Sequence, residues 1–229
     1  MNADYTNIEN TEEQEVRSRR AYADFASCLV QRNRQAVEEF LALEPWSEEA
    51  SNRLAELLDN DHRRCRMDEW IVMPTTLSRG AMFDALYAED FASVPIPDIT
   101  DIRISSDTVT VSAQQNASEN TTTNFARGAV INSTSGGEMY EATINFRRFT
   151  NCVVRQEPVW TRFLVQTQAA SDEESRAFEM LQSSLGACLA SGEFSITRDQ
   201  LRNFLSESLY RLTEAALLDA GATEEEPDA

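Results

Sequence analysis

FLALEPWSEEASNRLAELLDNDHRRCRMDEWIVMPTTLSRGAMFDALY, residues 40–87, and FLVQTQAASDEESRAFEMLQSSLGACLASGEFSITRDQLRNFLSESLY, residues 163–210, run in one register at an offset of 123. Phe40 matches Phe163, Leu41 Leu164, Arg53 Arg176, Glu56 Glu179, Leu58 Leu181, Cys65 Cys188, Arg79 Arg202, Leu86 Leu209 and Tyr87 Tyr210, without a gap. Cys28 and Cys152 join this alignment once one residue is inserted between them and the phenylalanine. All four cysteines are then equivalent in pairs, and the chain reads as a duplicated module. The duplication gives the build of the molecule and leaves its activity open.

Outward from these windows, each copy reads as three or four short helices. Tyr22, Phe25, Ala26, Leu29 and Val30 fall at i, i+3, i+4, i+7 and i+8, one face of a helix with Cys28 at its edge. Val37, Phe40 and Leu41 form a second short helix, broken at Pro45 and Trp46. Ser47 caps a third, with Leu54, Leu57, Leu58 and Cys65 inward; Met82, Phe83, Leu86 and Tyr87 mark a fourth. In the second copy, Ser171 with Glu174 and Thr197 with Gln200 are capping boxes. They introduce the stripes Phe178, Leu181, Leu185, Cys188 and Leu201, Phe204, Leu205, Leu209, Leu212.

Between the copies the period changes. Ile102 with Ile104, Val109 with Val111, and Tyr140, Ala142, Ile144, Phe146 alternate apolar with polar, and Ala129-Val130-Ile131 adds a fourth short run. Turn chemistry at Ser105-Ser106-Asp107 and Ser135-Gly136-Gly137 separates them. The expectation is a small antiparallel β meander from about Ile99 to Phe146, with a mobile loop from Gln114 to Asn124. The predicted fold class is therefore α+β, mostly α: two repeat-related helical modules, 16–92 and 149–220, flank a sheet or connector at 93–148. A mobile acidic arm at 1–15 and an acidic tail at 221–229 complete the chain.

A chain of 229 residues with 41% apolar content can bury one large core or two modest ones, and a duplication favours two. The net charge of −19 and the isoelectric point near 4.4 oppose binding to nucleic acid or to anionic membrane. The short clusters Arg63-Arg64-Arg66 and Arg147-Arg148 read as solvated helix ends or local ion pairs. No apolar run is long enough to span a bilayer.

All 20 basic residues are arginine. Schiff-base chemistry, ordinary pyridoxal phosphate sites, P-loop and kinase-type lysines are thereby excluded. His62 is the single histidine, so neither a two-histidine zinc site nor an HExxH helix can form within one chain. What survives is carboxylate-pair hydrolysis, a cysteine nucleophile, an oxygen-ligand metal site, or no catalysis.

Four cysteines allow three connectivities. Cys28 with Cys65 and Cys152 with Cys188 is the pairing that treats both copies alike. Each bond would stabilise by about 3 to 4 kcal/mol through loop entropy. Such pairing points to an oxidising compartment, periplasmic or secreted; buried thiols in a cytoplasmic protein are the alternative. The opening MNADYTNIENTEEQEV carries no apolar stretch of the kind a signal peptide needs, so export requires a leader already removed.

The candidate chemistry is thin. His62 lies near Asp59, Asp61 and Cys65, but its counterpart is Leu185 on an apolar stripe, which reads as a structural histidine. Cys65 is better placed in a disulfide than as a nucleophile. Asp98 with Asp101, and Glu138 with Glu141 beside Gly136-Gly137, are the carboxylate pairs in the least regular part of the chain. Asn116, Asn120 and Asn132 head Asn-x-Ser/Thr triplets, marks of a polar surface loop.

CVVRQEP (152–158) followed by SDEESRAFEMLQSSLGACLASGEFSITRDQLRNFLSESLYR (171–211) resembles a cysteine-containing helical module of uncharacterised exported bacterial proteins. A leading Cys-Val-Val, a later Cys-Leu and a closing Leu-Tyr-Arg recur in that module, and SRGAMFDALY (78–87) is the best piece of the first copy. The resemblance implies export and helical architecture. It brings no activity, cofactor, metal or catalytic residue. The expected function is a disulfide-braced interaction or scaffold protein with a protein partner in the cell envelope. A carboxylate-dependent hydrolase with its cleft between the modules is the alternative.

Overall fold

A computed structural model describes residues 6–61, 65, 75–104, 136–189 and 196–224. The elements are α1 (Thr6–Ala42), α2 (Glu48–Asp61), α3 (Thr75–Asp90), α4 (Gly136–Gln156), α5 (Pro158–Gln166), α6 (Asp172–Cys188) and α7 (Arg198–Glu224). α3 and α7 pack most extensively on each other, with α1 laid on α3 and α4 on α7. α2 packs on α1, and α5 with α6 on the second side.

Among the described residues the β meander does not form. No strand occurs among the described residues, and the fold is all-helical where the sequence predicts α+β. The run Tyr140, Ala142, Ile144, Phe146 lies within the single helix α4. Among the described side chains of α4, Ile144, Thr150, Asn151, Val153 and Val154 are buried, a helical stripe. Two of its inner positions are polar, so hydrophobicity alone hides the 3.6 period and leaves a chance alternation visible. Ile102 and Ile104 pack on the core from an irregular segment without a ladder, their alternation fixed by burial of Ile99 and anchoring of the chain. Arg155 Nη2 donates to Ile102 O at 2.5 Å, and Arg162 Nη1 to Val94 O at 2.7 Å. Val109, Val111, residues 129–131 and the loop at 114–124 lie outside the described residues.

Two boundaries also move. α1 begins at Thr6, inside the stretch expected to be a mobile arm, and α7 continues to Glu224, into the expected tail. The short second helix of each half is set off by a break rather than a loop. Asn33 interrupts α1 at φ −143°, ψ 46°, and Glu157 separates α4 from α5 at φ −133°, ψ 59°, with Pro158 following as the first residue of α5. Proline is pre-set for a first turn and cannot donate to a preceding one, which makes the second break obligatory.

The caps hold. Ser47 Oγ accepts from Ala50 N at 3.0 Å, and Ser171 Oγ from Glu174 N at 3.1 Å. Thr197 and Gln200 exchange both bonds, at 3.1 and 3.2 Å. The Glu174 carboxylate turns instead to Ala170 N at 3.1 Å, where the backbone enters the left-handed region at φ 56°.

One continuous core runs through both halves. Phe25, Leu29 and Phe40 of α1 belong to the same cluster as Leu164, Leu181, Leu205 and Leu209. Two separate cores, the expectation from duplication, do not form, because α3 and α7 bury their apolar faces against each other. Cys28 is joined to Cys65 and Cys152 to Cys188, with Cα separations of 5.6 and 5.8 Å. Cys152 of α4 is thereby tied to the last residue of α6, and Cys28 of α1 to a turn residue beyond the end of α2.

Burial places the register between the halves differently from residue identity. Phe40 is 0% exposed and Phe163 is 36% exposed, while Leu164 is 0%. Through α1 and α2 the matching positions lie 124 apart: Leu29 with Val153, Asn33 with Glu157, Phe40 with Leu164, Leu54 with Phe178, Leu57 with Leu181. In α3 and α7 they lie 123 apart: Arg79 with Arg202, Met82 with Leu205, Leu86 with Leu209, Tyr87 with Tyr210. The single-residue gap therefore falls after α2, not before Phe40. Leu58, expected to be buried like Leu181, is half-buried.

Candidate functional site

The chemistry-bearing side chains that the fold brings together lie where α3 crosses α7. Arg202 of α7 is buried, and all five of its N–H groups find acceptors. Nε donates to Asp84 Oδ2 at 2.8 Å and Nη1 to Glu174 Oε1 at 2.7 Å and Thr167 Oγ1 at 3.5 Å. Nη2 donates to the carbonyls of Val165 and Thr167 at 3.1 and 3.0 Å. Ser206 Oγ donates to the other Asp84 oxygen. Arg19 of α1 closes the group, donating to Glu174 Oε1 at 3.0 Å and pairing with Asp199 at 2.5 Å.

Two arginines and three acids leave this cluster with an excess of negative charge in a dry setting. Burial pushes the Asp84 carboxyl above its ordinary value against the pull of Arg202 and Ser206, and burial raises Asp199 against the pull of Arg19. Burial opposes the charged form of Arg202, but Asp84 and Glu174 outweigh it and hold the guanidinium charged. A saturated guanidinium has no donor left for a substrate. The arrangement works as a clamp: one side chain fastens the end of α5, the start of α6 and the middle of α3 to α7.

At the corresponding place on the other side, Arg79 of α3 reaches the end of α1. Nη1 donates to Phe40 O and Leu43 O at 3.1 and 3.0 Å, and Nη2 to Leu41 O at 2.7 Å. Leu41 and Leu43 stand 124 before Val165 and Thr167, so both arginines seal the same helix end. The acid 123 after Asp84 is Glu207, but it does not bond Arg79. Arg147 Nη2 and Arg211 Nε donate to Glu207 Oε1 at 2.8 and 3.0 Å. Burial pushes Glu207 up, while Arg147, Arg211 and Arg79 together bring it below its usual value.

The residues singled out from sequence are not gathered here. Asp98 is exposed and accepts from Thr100 N at 3.0 Å, which holds its carboxyl below the usual range. Asp101 is also exposed. Glu138 and Glu141 belong to α4, with side chains outside the description; His62, Arg63, Arg64, Arg66, Asn116, Asn120 and Asn132 lie outside the described residues. Among the described residues no group of three His, Cys, Asp or Glu side chains could hold a metal ion. The buried arginines and acids were missed as a site, although a signal existed: an acid follows Arg79 and Arg202 at the same spacing of five.

The outer faces of the two halves differ in chemistry. Between the end of α1 and α2 lies an open concavity of about 680 Å³ lined by Glu39, Leu43, Glu48, Glu49, Asn52, Arg53 and Glu56. Arg53 pairs there with Glu39 and with Glu56, the latter at 2.9 Å, and Gln35 donates to Glu39 at 3.0 Å. At the corresponding positions of α5 and α6 stand Val159, Phe163 and Met180, exposed by 65%, 36% and 45%. Among the described residues no helix is long and apolar enough to cross a membrane. Compared with protein-family models, curated proteins and solved structures, the chain matches none of them.

Proposed function

We propose that this chain is a non-catalytic protein of an oxidising compartment, built from two copies of one helical module, that docks a protein partner on the outer face of α5 and α6. The observation that carries the reading is the replacement of Gln35, Glu39 and Glu56 by Val159, Phe163 and Met180 at matching surface positions. Apolar side chains held in water by a scaffold that elsewhere places ion pairs there are the usual mark of an interaction site. Two cystine bonds at half-buried positions support export to the periplasm or beyond, since reducing compartments keep such thiols apart. The matching caps, helix breaks and arginine seals support the duplication.

The test is site-specific photo-crosslinking in cells that make the protein, with the crosslinker placed at position 163 or, as a control, at position 39. A discrete adduct from 163 that is lost in Val159→Glu supports the docking face; equal or no adducts from both positions sink it. Mass spectrometry of the unreduced protein after alkylation tests the compartment, where four alkylated thiols in freshly quenched cells would refute export.

A further inference from the structure

The Glu207 cluster has the opposite charge balance from the Arg202 cluster. Arg147, Arg211 and Arg79 act on one buried carboxylate, Glu207. The carbonyls at the end of α1 supply bonds to Arg79 and Arg211, but a helix C-terminus carries only about half a negative charge. Glu44 at the surface adds a second carboxylate, 3.8 Å from Arg147, so three guanidinium charges face two carboxylates and the helix end. The group is left with positive charge in excess.

Its hydrogen bonds are incomplete as well. Arg79 Nε and Arg147 Nε are buried without an acceptor, whereas every N–H of Arg202 is used. Burial, then the like charges of Arg147 and Arg211, depress the Arg79 guanidinium to about 10. An orphaned buried donor calls for a partner, which an ordered water or an ion can supply. The cluster opens to solvent beside Arg147 and Arg211, which are 13% and 35% exposed in their side chains. At this mouth the Glu44 carboxylate, 58% exposed, lies 3.8 Å from Arg147 Nη1, too far for a hydrogen bond. It marks where an oxyanion is attracted without filling the place.

We propose that the Arg79–Arg147–Arg211 cluster is a binding site for a small oxyanion, which displaces Glu44 at the mouth and is held by Arg147 and Arg211. Arginine suits this role because its planar fork matches two oxygens of a phosphate, sulfate or carboxylate group. Arg79, sealing the end of α1, adds charge from behind and holds the helix end that forms one wall.

The experiment is calorimetric titration of the intact, oxidised protein with inorganic phosphate, sulfate and acetate, against chloride at matched ionic strength. Saturable binding of at least one oxyanion beyond chloride is expected, and which one binds identifies phosphate-type or carboxylate chemistry. Arg147→Gln abolishes it, and Arg53→Gln, whose bonds go to Glu39 and Glu56, leaves it unchanged. Glu44→Gln removes the competing carboxylate at an exposed position and tightens binding by about two- to fivefold, the range of one solvent-exposed charge contact. No binding beyond chloride overturns the proposal. So does binding that Glu44→Gln leaves unchanged or weakens, which keeps the test decisive if Arg147→Gln fails to fold.

Discussion

Gly80 of α3 and Asn203 of α7 stand face to face at the helix crossing, so close that a β-carbon on Gly80 would overlap the Asn203 side chain. They are also counterparts, 123 apart. An element that meets its counterpart residue to residue makes the kind of contact seen in an isologous interface between subunits. Other pairs at the crossing obey the same relation: Arg202 reaches Asp84, and Arg79 lies in the field of Glu207, the same two positions with the helices exchanged. The shared core follows, since each half completes its burial on the other.

Gly80→Ala should destabilise the protein, although alanine gains up to about 1 kcal/mol of helix propensity over glycine. Overpacking a closed crossing costs about 1–3 kcal/mol, and here the obstruction includes the Asn203 β-carbon, which cannot rotate away. The pair Gly80→Ala with Asn203→Gly moves the side chain to the other helix of the crossing and should recover most of the loss. Urea denaturation of the three variants checks this. A double variant no better than Gly80→Ala would count against the close approach.

The register of α2 and α6 can be tested in the same way. Leu57→Ala and Leu181→Ala remove side chains 2% and 0% exposed and should each cost about 2–5 kcal/mol. Leu58→Ala, at a half-buried position, should cost about 1 kcal/mol or less. Equal losses at Leu58 and Leu181, with little at Leu57, would restore the ungapped alignment.

The two arginine seals predict unequal penalties. Arg202→Met leaves Asp84 and Glu174 buried without their shared cation, and breaking a buried ionic group in this way costs about 3–5 kcal/mol. Arg79→Met removes its bonds to the helix-end carbonyls, of which Leu41 O keeps Arg211 and Phe40 O keeps Leu43 N, and relieves a guanidinium with an orphaned Nε; it should cost about 1–3 kcal/mol. Chemical denaturation with disulfides intact measures both, and a larger loss for Arg79→Met would contradict the charge balance assigned to the two clusters.

What was legible in the chain was what side-chain type and spacing determine locally. The helices around Phe25, Leu54, Phe178 and Leu209 and the serine and threonine caps follow from residues within one or two turns, and the pairing of the four cysteines from the alignment of the two windows. α4 was not legible, because Thr150 and Asn151 occupy inner positions that hydrophobic periodicity counts as outer. The one-residue shift of register was hidden by identities such as Phe40 with Phe163, which share a side chain and not an environment. The ionic clusters depend on pairs such as Arg202 with Asp84 and Arg19 with Glu174, which only the helix crossing brings together.

The last prediction concerns acid. Arg34 grips Asp90 with both ends of its guanidinium, Nη1 to Oδ1 and Nη2 to Oδ2, each at 2.7 Å, and Tyr210 donates to Oδ2 at 3.1 Å. The bond from Arg34 holds the Asp90 carboxyl below its ordinary value, with Tyr210 adding to it and burial opposing. A depressed folded-state pKa contributes stability that is present above the unfolded value, about 3.9 for aspartate, and is lost as pH falls through the folded value. Because Arg34 is 41% exposed, solvent screening holds the contribution to about 1 kcal/mol at neutral pH. Arg34→Gln should therefore be less stable than the parent by that amount at pH 7, and the gap should close as the pH is lowered below the aspartate range. Asp84 and Asp199, shifted the other way, are common to both proteins and cancel in the difference. Urea denaturation from pH 2.5 to 7 reads the gap directly. A difference that persists undiminished at the lowest pH would mean that Arg34 acts through packing of its alkyl chain rather than through Asp90.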